Sequence, residues 1–425
     1  MADYKDLWQS LNIDLEKHDQ LCEVLPKFYS EIYLSQENRP KGMDYFNMVV
    51  SEIHGLRIKE LDDHRKQGNK VMGSFCVFVP DELALAANVI NVGLCAGSDF
   101  WHPDGEKYVP QNTCPLVKAA VGAKMGNTCP YFNSCDLLVG ETTCDSKKKA
   151  WEILDKETDM YVIDLPQMKR EKDYESFSDE LKLFKEKLED LSGNEITANK
   201  VKESIELVNE KRKALKRLYD LRKNEALPIS GKDALLISQI AFYDDPKRFI
   251  QMTNELCDEL DQRVSNNESV FSKDTKRILV SGTPMAVPNW KLHHVIESSG
   301  GAVVCEETCT GSRYFENYVS NEGETLEEQY KNLANRYMGI NCACFTPNNG
   351  RVDDIIRLYK EHKADGVVYF TLPFCQTYST EYKLVKEKLD KEGIPVTMIE
   401  TGYSLEDAGQ LKTRLEAFFE VLENR

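Results

Sequence analysis

Eight short apolar runs constrain this chain most, because they fall into two sets of four with helical patterns between them. The first set reads Lys70 to Val79, Val89 to Leu94, Asp136 to Gly140 and Met160 to Leu165. The second reads Arg277 to Ser281, Gly301 to Cys305, Gly366 to Leu372 and Ile394 to Ile399. Strands alternating with helices predict parallel sheets with helices on both faces. Two similar α/β domains are therefore expected, over residues 69–180 and 273–425. Apolar residues at helical spacing make 1–68 an N-terminal helical segment. Residues 181–272 form a helical connection, with helix breaks near Ser192-Gly193-Asn194 and near Asp245-Pro246.

Charge narrows the partners. A formal net charge of -17 argues against nucleic acid and anionic membranes, which need clustered Lys and Arg. No apolar run approaches the roughly 20 residues that span a bilayer. The polar stretch from Met1 to Asp14 lacks a basic n-region followed by an apolar h-region, so no signal peptide is expected. A reducing cytoplasm is the expected location.

The chain has 13 cysteines in 425 residues, too sparse for a disulfide scaffold. Disulfides are also rare in reducing compartments, where clustered cysteines more often bind metal or do redox work. Cys22 and Cys257 sit alone in helical contexts and read as buried, inert thiols.

Position singles out the others. Ligands of open parallel sheets bind beyond the carboxyl ends of the strands. Cys76, Cys144, Cys309 and Cys375 fall at or just after such ends, two in each half. Cys114 and Cys129 each precede a proline, and a thiolate at a helix N-terminus suits a metal. Cys342 and Cys344 add a Cys-x-Cys pair. Local Cys-x2-Cys pairs typical of structural zinc are absent, and thiolates are the ligands of iron–sulfur clusters. His293 and His294, adjacent in a helix, read as structural. On spacing alone, a cluster and a cysteine-rich core remain equally open.

Longer segments resolve that ambiguity. GSFCVFVPDELALAANV, NTCPLVKAAVG, TCPYFNSCDLLVGETTCDSKKKAWEIL, RILVSGTPM, EETCTGSRYF, CACFTPNNGR, ADGVVYFTLPFCQTY and GIPVTMIETGYSLEDAGQLKTRLEAFFE together resemble the 2-hydroxyacyl-CoA dehydratase and benzoyl-CoA reductase family. The nearest resemblance within it is to double-cubane cluster proteins. The resemblance implies two flavodoxin-like α/β domains with an iron–sulfur cluster in the cleft between them. Cys76, Cys114 and Cys375 match the family's general [4Fe–4S] ligand set. The double-cubane members resemble homodimers in which six cysteines per chain hold an [8Fe–9S] double cubane. Cys129, Cys309 and Cys344 are the favoured additions, with Cys144 next and Cys342 also a candidate. Cys95, Cys135 and Cys305 read as structural.

The implied activity is an oxidoreductase one. A separate ATP-hydrolysing [4Fe–4S] activator supplies low-potential electrons, and the cluster reduces a small molecule. No P-loop G-x-x-x-x-G-K-[ST] occurs, so ATP is expected on that partner. Glu141, Glu307, Gln376 and Tyr378 lie beside the thiols in sequence and are the candidate proton donors. Lys147 to Lys149 read as a solvated helix face. The alternative is the [4Fe–4S] subunit of a dehydratase, a lyase acting on a CoA thioester.

Overall fold

In the computed structural model, which describes residues 4–94 and 96–424, the eight apolar runs form two four-stranded sheets. Cys95 lies outside the described residues. The first sheet comprises β1 (Lys70–Ser74), β2 (Val89–Gly93), β3 (Leu137–Glu141) and β4 (Met160–Ile163). Its order is β2-β1-β3-β4, and every pairing is parallel. The second comprises β5 (Lys276–Gly282), β6 (Gly301–Glu307), β7 (Gly366–Thr371) and β8 (Val396–Glu400). Its order, β6-β5-β7-β8, repeats the same permutation with every pairing parallel. The two halves are thus flavodoxin-like α/β units of one design.

Strand composition follows from burial. Every residue of β3, β6 and β7 is buried, as expected where helices cover both faces of a parallel sheet. Edge strands β4 and β8 are only partly buried. The first apolar run is longer than its strand, since pairing stops at Ser74. Phe78 and Val79 remain buried in the turn that follows, so hydrophobicity continues after the hydrogen-bonded ladder ends.

Helices Glu171–Ser192 and Ala198–Leu221 follow the first sheet. They break at Gly193, whose φ of 70° is accessible to glycine without steric cost. Helices Gly231–Ile240 and Pro246–Ser265 complete the passage to the second sheet. Trp290 anchors the N-terminal helices against this region. Its ring meets Phe28, Tyr29 and Tyr33 at centroid distances of 5.5, 5.6 and 5.1 Å, and its indole N–H donates to Gln239 at 2.8 Å. Among the described residues, no helix is long and apolar enough to cross a membrane.

Two elements tie the halves together. Glu82, just after the first strand, pairs with Arg212 at 2.8 Å and accepts from Tyr337 of the second half at 2.6 Å. Gly97 donates its N–H to Val287 at 2.9 Å. Trp290→Ala empties a fully buried site and should cost about 3–5 kcal/mol, read as a lower urea midpoint on chemical denaturation.

Candidate metal centre

The strand order reverses between β1 and β3 and again between β5 and β7, and such switch points open a crevice at the strand ends. The residues beyond those ends wall one cavity of about 210 Å³. Eight cysteines line it: Cys76, Cys114, Cys129, Cys144, Cys309, Cys342, Cys344 and Cys375. They come from both halves, and none is in a disulfide.

Local structure aims these sulfurs. Cys114, Cys129, Cys144 and Cys375 are the N-cap residues of helices Pro115–Met125, Pro130–Ser134, Asp145–Leu154 and Gln376–Lys391. Backbone N–H groups of the first turns donate to the sulfurs, from Leu116 and Val117 to Cys114 and from Tyr378 to Cys375. These unpaired donors and the helix dipole favour the thiolate.

Hydrogen bonding between thiols divides the set. Cys342 accepts from Cys309 and Cys344, which holds its thiol well below the ordinary range. Cys114 accepts from Cys375 and is drawn down to about 7. Cys144 feels the charge of Cys114, and Cys76 feels that of Cys342. Cys129 stands apart: burial pushes it up to about 11, and its neighbouring sulfur is Cys135. The structure therefore brings Cys342, outside the favoured six, into close company with Cys309 and Cys344. Cys135, Cys257 and Cys305 are buried away from the cavity wall, and Cys135 donates to the Tyr131 carbonyl at 3.1 Å.

Cations offset this sulfur. The Arg313 guanidinium lies 3.7 Å from the Cys309 sulfur and also donates to the Tyr378 hydroxyl. Glu307 fixes Arg313, accepting from its Nη2 at 2.9 Å, from Ser281 at 2.7 Å and from Arg351 at 3.3 Å. Lys147 turns inward to line the cavity and pairs with the buried Glu141 carboxylate. Lys148 and Lys149 instead make exposed pairs with Asp145 and Glu152. The lysine run is thus a solvated face only in part.

Of the four candidate proton donors, Tyr378 alone is on the cavity wall, with its hydroxyl 3.6 Å from the Cys342 sulfur. Glu141 and Glu307 lie behind the wall as ion-paired acceptors, and Gln376 is exposed. His293 is buried against Glu306 at 2.9 Å, a structural pairing. The remaining wall is mainly apolar, with Leu21, Leu25, Ile53, Leu94, Trp101 and Phe242. Three hydroxyls on it, Tyr131, Tyr243 and Thr283, are buried without a hydrogen-bond partner, an arrangement that suits a ligand with polar groups.

The residues fit an all-thiolate metal cluster in chemistry: many sulfurs, N–H donors to them and nearby cations. Residues 76–422 match the family described as 2-hydroxyglutaryl-CoA dehydratase, D-component. The chain belongs to this family. It is 35% identical over 363 residues to the putative dehydratase subunit YjiM of Escherichia coli K12, covering 85% of this chain and 93% of that one. It is 25% identical to the (R)-phenyllactyl-CoA dehydratase beta subunit of Clostridium sporogenes, over 91% of this chain and 100% of the relative. A benzoyl-CoA reductase subunit of Thauera aromatica is 23% identical over 83% of this chain and 89% of its own length. An enzymatic role within a multi-subunit system agrees with these relatives.

Lys147→Met leaves the Glu141 carboxylate buried without its cation and should cost about 3–5 kcal/mol. Lys149→Met, on the exposed face, should leave the denaturation midpoint unchanged. Parallel urea titrations of the two variants check this contrast.

Proposed function

We propose that this chain holds an iron–sulfur cluster in the cysteine-lined cavity and is a reductase of a small molecule. A separate ATP-hydrolysing [4Fe–4S] activator supplies its low-potential electrons. The observation carrying the reading is the count of sulfurs, since eight cysteines line the cavity whereas a single [4Fe–4S] cluster takes about four. That surplus favours an [8Fe–9S] double cubane. Bound there, the cluster supplies one-electron transfer at a potential set by its charge, burial and hydrogen bonds.

The ligands proposed are Cys114 and Cys375 on one side and Cys76, Cys309, Cys342 and Cys344 on the other. Cys144 is held in reserve and Cys129 belongs to the wall. Cys342 replaces Cys129 in this set because its sulfur accepts from both Cys309 and Cys344. Arg313 and Lys147 offset thiolate charge, and Tyr378 is the proposed proton donor beside the sulfurs. The apolar wall excludes water, and the hydroxyls of Tyr131, Tyr243 and Thr283 hold the polar groups of the substrate. Pairing of two copies as a homodimer and a cytoplasmic location complete the proposal.

The second reading is the [4Fe–4S] subunit of a 2-hydroxyacyl-CoA dehydratase. It is favoured by the names of the relatives, several of which are dehydratase subunits. Anaerobic purification followed by iron and acid-labile sulfide analysis separates the two. About eight irons per chain support the double cubane and about four support the dehydratase. An iron-free, colourless protein overturns both.

Ligand variants sharpen the assignment. Cys375→Ala and Cys342→Ala should each lower the iron content, while Cys129→Ala should retain it. Unchanged iron in both of the first two variants overturns the ligand set.

A further inference from the structure

A second constellation of metal-binding side chains lies outside the thiol set. His18 and Cys22 are four residues apart on helix Leu15–Tyr29, so they share one face. His54 reaches them from the turn between helices Met43–Ser51 and Leu56–Lys66. One ligand atom from each of the three lies within 4.8 Å of the others. The His18 Nε2 and His54 Nδ1 atoms are 3.0 Å apart, and the Cys22 sulfur is 3.8 Å from His18 Nε2.

We infer that His18, Cys22 and His54 form a mononuclear binding site for a zinc-class divalent cation. Tetrahedral zinc, with bonds of about 2.3 Å to sulfur and about 2.0–2.1 Å to nitrogen, separates two nitrogens by about 3.3 Å. The same geometry separates nitrogen from sulfur by about 3.5 Å. The His18–His54 and His18–Cys22 spacings are within a few tenths of an ångström of these values, and Cys22 and His54 lie within 4.8 Å of each other. One thiolate and two imidazoles also match the ligand preference of zinc.

The surroundings hold the donors in place. The Trp8 ring packs 4.2 Å from His18, and its indole N–H donates to the His54 carbonyl at 2.6 Å. Burial keeps both imidazoles neutral, drawing His18 to about 4 and His54 to about 3. The Cys22 thiol, pushed up to about 11 by burial, gives its proton to solvent as the sulfur–metal bond forms.

Three protein ligands leave a fourth position for water or another small ligand. His54 also lines the cysteine-walled cavity, while His18 and Cys22 lie outside its wall. The site is thus a neighbour of the cysteine-lined chamber and does not depend on what that chamber holds.

The test loads anaerobically purified protein, its native metal content retained, with one equivalent of Zn²⁺. Zinc K-edge absorption then reads the coordination shell. The expected shell has one sulfur at about 2.3 Å and two imidazole nitrogens at about 2.0–2.1 Å. Cys22→Ser, a conservative change at a half-buried position, should lose the zinc and keep its iron and sulfide. Failure to retain zinc, an all-sulfur shell or undiminished zinc in Cys22→Ser each overturns the inference.

Discussion

Sulfur crowded away from water is the constraint around which the molecule is organised. Eight cysteines wall one cavity, and a buried thiolate is costly unless something offsets its charge. The chain provides two kinds of compensation. Helix N-termini direct backbone N–H groups at Cys114, Cys129, Cys144 and Cys375. Arg313 and Lys147 place positive charge beside the sulfurs. Each cation is itself restrained, Arg313 by Glu307 and Lys147 by Glu141. Glu307 in turn takes Arg351, which pairs with Glu381 of the helix after Cys375. The field beside Arg313 is therefore set by a connected ion-pair network, and that beside Lys147 by a single buried pair.

The same logic joins the halves. The Arg212–Glu82 and Arg222–Glu306 pairs have side chains with no exposed surface. Buried ion pairs are weak evidence of stability, because desolvation cancels much of the attraction. Their value lies in geometry: the two hydrogen bonds from Arg222 to Glu306 fix where that carboxylate must sit. Glu82 and Arg212 hold the short helix Asp81–Ala86 against the long helix Ala198–Leu221. That helix also carries Arg222 at its end, which grips Glu306 on β6. One helix thus registers both sheets, and the cavity between them acquires a defined width.

Much of this was legible in the sequence, and what was not has identifiable causes. The apolar runs marked all eight strands because parallel strands buried on both faces need continuous β-formers. The first boundary was missed because Phe78 and Val79 are buried as a strand would be, yet pair with no neighbour. Strand-end cysteines were visible for the reason that strand ends are where ligands bind. Glu307 was visible as a neighbour of Cys309, but only its tertiary partners Arg313 and Arg351 show that it is an ion-paired acceptor. Gln376 adjoins Cys375 in sequence, but as the first helical residue it faces outward. Lys147 and Lys149 look alike in sequence, and only the position of Glu141 decides which turns inward. Cys22 read as solitary since His54 approaches from a separate helical turn.

The origins of the sulfurs bear on how the protein can be made. Cys76 follows the first strand and Cys375 follows the seventh, so the thiol lining draws on nearly every layer of the fold. No local peptide segment contains a complete site. During synthesis the chain must build one sheet, pass through the helical span and close the second before the last thiol arrives. A cluster held by these sulfurs would consequently be a late arrival, admitted to an architecture already assembled.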